Sequence, residues 1–285
     1  RPLESRTLVS CDVDSPFAFD GDGRWIARRI GGDLLKRRSP ALARHSMRAW
    51  WNARGGDYSL DPHRLGLDYI MEVNERAGRR VAFYFIAANT DLRLDTHTSL
   101  DDPRMRALLR EIHLRGHEIG CHPGYNTFRH PEAMAHSVAT LRRVLKEEGI
   151  EQPVFGARQH FLRWETPRTA RLLEDNGVAY DSTLSYADCP GFRCGTCREY
   201  GFYDVGTRRP LRLRERPLIV MECSVIADRY LGLGYSEDAR REIERYKAAC
   251  SKVRGDFTLL WHNSQFEHPN SADLYSRLLG TPGTQ

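Results

Sequence analysis

The stretch TLVSCDVDSP, Thr7 to Pro16, runs through short apolar residues into Asp12 and Asp14 and is then cut by Ser15-Pro16. Six further apolar runs follow it: RVAFYFIAA, HEIGCH, VFGARQ, AYDSTL, PLIVMECSV and FTLLWHN. Helical patterns lie between several of them, and this β-α alternation is the sequence form of a mainly parallel sheet. Seven strands in one uninterrupted alternation favour a barrel or half-open barrel over two domains. The helices are punctuated at their ends. DDPRMRALLREIHLRG begins with an aspartate cap and Pro103, carries Met105, Leu108, Leu109 and Ile112 as an apolar stripe, and stops at Gly116. ETPRTARLLEDNG repeats the design, and HPEAMAHSVATLRRVLKEEG and SEDARREIERYKAACSKVRG are longer amphipathic segments.

A chain of 285 residues with 40% hydrophobic content can bury a sizeable core as one unit. We expect a single catalytic domain over residues 1–285 with a basic helical insertion at about 21–56. Between Arg24 and Arg54 there are nine Lys or Arg against Asp33 alone, so the overall charge of +5 is a local excess. That segment, with Trp25, Trp50 and Trp51, suits either a solvated helical excursion or contact with an anionic membrane surface or polyanionic ligand. Seven dispersed cysteines, an odd number, fit a reducing compartment better than a disulfide framework, which points to the cytoplasm, with peripheral contact at the inner membrane. No run reads as a bilayer span or secretory signal. No phosphate loop or dinucleotide fingerprint is present, and nothing beyond the basic segment suggests nucleic acid. CGTC, Cys194 to Cys197, is a lone pair without a second, so a tight turn is expected there rather than a zinc site.

Active sites of parallel β/α folds collect at the carboxyl ends of the strands. Five polar residues stand there: Asp12 and Asp14 after the first run, His122 after the third, Arg158 after the fourth and His262 after the seventh. Alone, each is most simply structural. Together they describe a divalent-metal site with a spare carboxylate as base, which is hydrolytic chemistry. Ser15-Pro16 ends the strand and allows both aspartates to turn into one site. His117, inside its strand, is expected to be structural.

These residues resemble the motifs of the polysaccharide deacetylases, carbohydrate esterase family 4 with the NodB-homology fold, in the branch whose first motif reads DVD. The resemblance implies a distorted TIM-like (β/α)7 barrel. It assigns Asp12 as the base and Asp14 as a metal ligand in SCDVDSP, and His122 as a ligand in GHEIGCHPGYN. The family's second histidine, four residues on, falls here on Asn126, a weak donor for zinc. FGARQHFLRW supplies Arg158 to orient the base, with His160 and Trp164 as pocket walls, and LLWHN supplies His262 as the general acid. The fourth motif is unclear, with Asp181, Asp188 and Arg193 as candidates. Arg193 could meet an acidic substrate group, and Glu222 either lines the pocket or forms a buried salt bridge. The resemblance implies a divalent metal, zinc first, and removal of N-acetyl or N-formyl groups from a lipid- or nucleotide-linked amino sugar in surface-polysaccharide synthesis. The alternatives are a metal-poor member that binds a glycan or partner without hydrolysis, motivated by Asn126, and a hydrolase of a non-sugar C–N bond.

Overall fold

The computed structural model describes residues 4–20, 23–35 and 38–280. All seven expected runs form strands: β1 (Thr7–Val13), β2 (Val81–Phe85), β3 (Glu118–Cys121), β4 (Gly156–Ala157), β5 (Tyr180–Asp181), β8 (Val220–Met221) and β9 (Phe257–Leu260). Two more, β6 (Tyr200–Asp204) and β7 (Arg209–Glu215), form a hairpin that the sequence reading did not anticipate. Their burial alternates, because one face of an antiparallel ribbon meets water, so they lack the near-continuous apolar runs of the other strands.

The strand order is β6-β7-β5-β4-β3-β2-β1-β9-β8, with every neighbouring pair parallel except β6 and β7. The ends of this order, β6 and β8, do not pair with one another, and the result is a distorted, TIM-like half-barrel α/β fold. Parallel neighbours need long crossovers. These are α3 (Pro62–Arg76), α4 (Pro103–Leu114), α5 (Pro131–Glu147), α6 (Arg168–Asp175) and α8 (Glu237–Lys252), with the short α7 (Glu222–Ile226) and the terminal α9 (Ser271–Leu279) completing the layer. The expected Asp102 cap acts, its carboxylate accepting from the Arg104 amide at 2.8 Å. The same design in ETPRTARLLEDNG does not: α6 starts after Pro167 without a side-chain cap, and the Thr166 hydroxyl accepts from the Trp164 indole instead. Ser236, not singled out in the sequence, caps α8. The main core lies between sheet and helices, with Phe83, Phe85, Leu109, Ile119 and Leu259 almost fully buried. Inside the curl the strands carry larger polar side chains. A Cβ at Gly156 would lie 2.1 Å from the Tyr180 ring, so only glycine lets that buried tyrosine fill the lumen.

The basic segment leaves β1 at the same end as the site residues. It forms α1 (Gly23–Leu35) and α2 (Pro40–Arg54), the latter capped by the Ser39 hydroxyl. Gly21, Lys36 and Arg37, and the side chains of Arg24 and Trp25, lie outside the described residues. Trp50 packs on a small cluster with Phe19, Ile26, Ala49 and Ala53, whereas Trp51 is 71% exposed. Arg29 turns inward to Glu267 at 2.7 Å and to Ser46, while Arg28, Arg38, Arg44, Arg48 and Arg54 face solvent. No helix among the described residues is long and apolar enough to cross a membrane.

The turn after β9 is tied into this frame. The Asn263 amide donates to the Ser15 and His63 carbonyls, and α3 presses so close that a Cβ at Gly66 would meet the Asn263 carbonyl oxygen at 2.3 Å. Gly66→Ala is therefore expected to cost about 1–3 kcal/mol by overpacking. It should also displace His262, so denaturant unfolding and turnover should both suffer; an unchanged midpoint refutes the contact.

Candidate metal and acid–base site

Because β1, β3, β4, β8 and β9 run in parallel, the residues following them converge on one end of the sheet. Arg158, 1% exposed, is the most constrained. Its Nη1 donates to Asp12 Oδ1 at 2.8 Å and to the Ser10 hydroxyl at 2.9 Å, its Nε to the Ser182 carbonyl at 2.8 Å and its Nη2 to the Ser182 hydroxyl at 3.0 Å. The Tyr84 ring lies beneath the guanidinium at 4.7 Å. Asp12 is thus held by one oxygen, and its other oxygen faces His122 Nε2 at 3.8 Å.

His122 and His160 are oriented by the same device. His122 Nδ1 lies 2.5 Å from the Arg158 carbonyl, which can only accept, so Nδ1 carries the proton and Nε2 presents its lone pair. His160 Nδ1 donates to Asp95 Oδ1 at 2.7 Å. Burial pushes the Asp95 carboxyl up, but His160 and the Thr90 and Tyr125 amides outweigh it and hold Asp95 well below the usual carboxylate range. Both Nε2 atoms point to Asp14 Oδ1, at 3.3 and 3.7 Å. That oxygen is itself buried and has no hydrogen-bond partner.

An orphaned carboxylate oxygen facing two pinned imidazole lone pairs fits a divalent cation. Ligand histidines that hand their other nitrogen to a carbonyl or carboxylate are the usual arrangement around such an ion. The charges agree. Burial pushes Asp14 up, yet His122, His262 and His160 outweigh it and hold it well below its ordinary range. Burial opposes charge on His122, yet Asp12 and Asp14 raise its proton affinity. The donors of Asp14, His122 and His160 lie within 4.8 Å of one another.

A second group, Glu222, Cys223 and His262, converges as closely. Here the groups satisfy each other: Glu222 Oε1 accepts from the His262 backbone amide at 3.0 Å and from His262 Nδ1 at 2.5 Å. Burial pushes His262 down, but Glu222, Cys223 and Asp14 outweigh it and hold the imidazole well above its ordinary value. Its Nε2 lies 3.7 Å from Asp14 Oδ2, so a cationic N–H faces the same centre. Burial raises the Cys223 thiol, which argues against a thiolate nucleophile.

Several expectations are revised. His160, read as a pocket wall, joins Asp14 and His122 in the donor cluster, while Asn126, read as the third ligand, is turned elsewhere. Its Nδ2 donates to the Thr90 carbonyl at 2.9 Å and its Oδ1 accepts from Arg163 at 3.4 Å. The loop after β3 carries Asn126 onto the Thr90 loop, leaving the open place to the residue two beyond Arg158. Of the two readings of Glu222, the buried salt bridge holds, its partner being His262. Trp164 stacks on Phe202 of β6 at 5.4 Å, and Arg193 donates to the Ser185 carbonyl; neither lines the cavity at the site. His117 is structural as expected, accepting from the Val81 amide and meeting Glu75 at 3.1 Å. CGTC makes a turn, with Gly195 in the left-handed region at φ 67°. Asp95 was missed altogether: nothing in TDLRLDTH marks it, since its role exists only once the β2 loop meets His160.

The centre opens into a cavity of about 300 Å³ whose other walls include Phe161, Leu162, Met221, Arg229 and Tyr230.

No protein-family model and no curated protein sequence matches the chain. Among solved structures it resembles an inferred polysaccharide deacetylase from Mycobacterium smegmatis, with a TM-score of 0.60 and 16% identity over 98% of this chain and 85% of that one. A second inferred polysaccharide deacetylase, from Pseudomonas aeruginosa PAO1, gives 0.53 and 16% over 79% and 70%. The PuuE allantoinase gives 0.51 and 16% over 75% and 65%. Likeness at this identity establishes the fold.

Asp181, a fourth-motif candidate, is buried beside Glu215 of β7. Burial, with Asp181 adding to it, holds the Glu215 carboxyl protonated well above its usual range. The folded state therefore keeps a proton that the unfolded chain loses above about pH 4.3. Stability should fall as pH rises from there through the raised value, by up to about 1.4 kcal/mol per pH unit. Glu215→Gln should flatten that fall in urea titrations at several pH values; an unchanged slope refutes the assignment.

Proposed function

We propose that this protein is a metal-dependent amidohydrolase that removes N-acetyl groups from amino sugars in bacterial surface-polysaccharide synthesis, with zinc as the metal and the cytoplasmic side as the place of action. The observation that carries the hydrolase reading is the convergence of Asp14, His122 and His160 between an oriented carboxylate, Asp12, and an oriented imidazolium, His262. Asp14, His122 and His160 would hold the ion, leaving an open position as catalytic sites do. When bound, a divalent cation polarises the amide carbonyl and acidifies water.

The chain's own groups do the rest. Asp12, its Oδ1 pinned by Arg158, keeps its second oxygen toward the centre and takes the proton from the attacking water. His262, charged and fixed by Glu222, delivers a proton to the departing amine as the C–N bond breaks. Base and acid stand beside the same carboxylate, Asp14, so they can serve successive halves of one hydrolysis. The sugar assignment follows from the motif resemblance and the deacetylase-type fold. A non-binding role for Asn126 no longer argues for a metal-poor member, since His160 provides the donor. A non-sugar C–N substrate keeps the same residues, and the structural likeness to an allantoinase favours it as the second reading.

The outer face of α2 alternates Arg44, Met47, Arg48, Trp51 and Arg54, all exposed, which supports contact with an anionic membrane surface. Replacing Arg28, Arg38, Arg44 and Arg48 by Ser is expected to abolish cosedimentation with phosphatidylglycerol vesicles. Full retention removes the membrane part of the proposal.

The hydrolase reading is tested by elemental analysis after purification and after adding back zinc. Wild type should hold about one divalent ion per chain. Asp14→Ala, His122→Ala and His160→Ala should lose it, and Asn126→Ala should keep it. Asp12→Asn and His262→Gln should retain the ion but lower kcat on N-acetylated sugars by roughly 10²–10⁴-fold. Absence of metal from the wild type after zinc is added back would sink the mechanism.

A further inference from the structure

Of the described residues lining the catalytic cavity, Arg229 is the one guanidinium or ammonium. It differs from the other arginine of the site. Arg158 is buried and makes four hydrogen bonds, whereas Arg229 is exposed and makes no ion pair among the described residues, its guanidinium lying 4.8 Å from the Tyr230 ring centre. Half-buried arginines elsewhere are matched with carboxylates, as at Arg104, Arg106, Arg115 and Arg240. Among the described residues the exposed arginines of the basic segment are not, and what sets Arg229 apart from them is its place in the cavity wall.

The backbone that presents Arg229 is well held. Tyr230 and Gly232 both donate to the Ala227 carbonyl, Leu231 donates to Ser224, and Leu233 donates to Val225. Gly232 adopts φ 64°, a left-handed turn that suits glycine. The guanidinium is therefore offered to the cavity from a fixed turn.

Another wall carries an unusual platform. Phe161 and Leu162 are consecutive non-glycine residues in the left-handed region, at φ 59° and 52°. Such conformations are costly and concentrate at functional sites. Phe161, at the cavity, is 56% exposed and is braced by Tyr125 edge-on at 5.3 Å and by His160 at 4.6 Å. An aromatic face beside a metal-ligand cluster and an unmatched cation describes a substrate with three parts: an amide, a flat or pyranose-like apolar face, and an anion.

We propose that the cavity selects amides bearing an oxyanion, phosphoryl or carboxylate, which Arg229 binds while Phe161 supports the ring. This rests on the amidohydrolase reading and specifies its substrate class. A planar guanidinium can take either oxyanion in a paired hydrogen bond. The reaction is unchanged: water's oxygen joins the acyl carbon, the C–N bond breaks, and the amine leaves with a proton.

The test is calorimetric binding to the zinc-loaded protein of N-acetylglucosamine, N-acetylglucosamine 1-phosphate and N-acetylmuramic acid, alongside turnover of each. At least one charged probe should bind about tenfold or more tightly than the neutral sugar, a difference of about 1.4 kcal/mol, and the one that gains identifies the oxyanion. In Arg229→Gln the charged probe should fall to the level of the neutral one; Arg229→Lys should recover part of the preference. Metal content, measured on each variant, reports that the centre is intact. Equal binding of neutral and charged probes, or no binding of either charged probe at millimolar concentration, or a preference that survives Arg229→Gln, overturns the proposal. Arg229-dependent binding without turnover of any probe would instead overturn the hydrolase reading and keep the anion site, whereas turnover without charge preference does the reverse.

Discussion

A guanidinium buried as deeply as that of Arg158 is tolerated only if its charge is paired and its donors are engaged, because an unpaired charge away from water costs several kcal/mol. Meeting that demand organises the site. Ser10 and Asp12 from β1 and Ser182 from the end of β5 must close on one fork, which draws strands on either side of β4 into register. The same residue's carbonyl accepts from His122. Arg158 therefore sets the direction of a carboxylate with its side chain and the tautomer of an imidazole with its backbone.

Around that residue the site is built in pairs, each active group held by one that faces away from the cavity. Asp12 is held by Arg158, His122 by a carbonyl, His160 by Asp95 and His262 by Glu222. Outward partners leave the inward atoms few ways to turn, which is what a preorganised centre requires. The exception is Asp14, with a side chain 41% exposed and one buried oxygen lacking any partner. It is the place where the protein leaves a polar atom for something else to satisfy.

Most of the frame was legible because it depends on local pattern. Apolar runs, an aspartate cap and polar residues at strand ends predicted seven strands and brought Asp12, Asp14, His122, Arg158 and His262 to one end. The hairpin β6–β7 escaped because half-exposed ribbons lack a continuous apolar signal, and RPLRLRE looks like surface. The exchange of Asn126 for His160 escaped for a different reason. Motif spacing assumes that the loop after β3 follows one path, whereas the path is decided by Asp95, which ties the Thr90 loop to Tyr125 and to His160 at once. A donor set assembled across three loops has no period to detect.

Beneath the site the curl of the sheet is plugged. Tyr84 and Tyr180 share a hydrogen bond at 2.9 Å, Tyr180 donates to Glu118 at 2.6 Å, and Arg216 stacks on the Tyr180 ring at 3.6 Å. What remains there is a void of about 20 Å³, room for about one water molecule. The described residues therefore leave no passage beneath the centre. On the proposed hydrolysis, both fragments would leave by the cavity through which the parent arrived, and the fragment carrying the oxyanion is the one that Arg229 would detain.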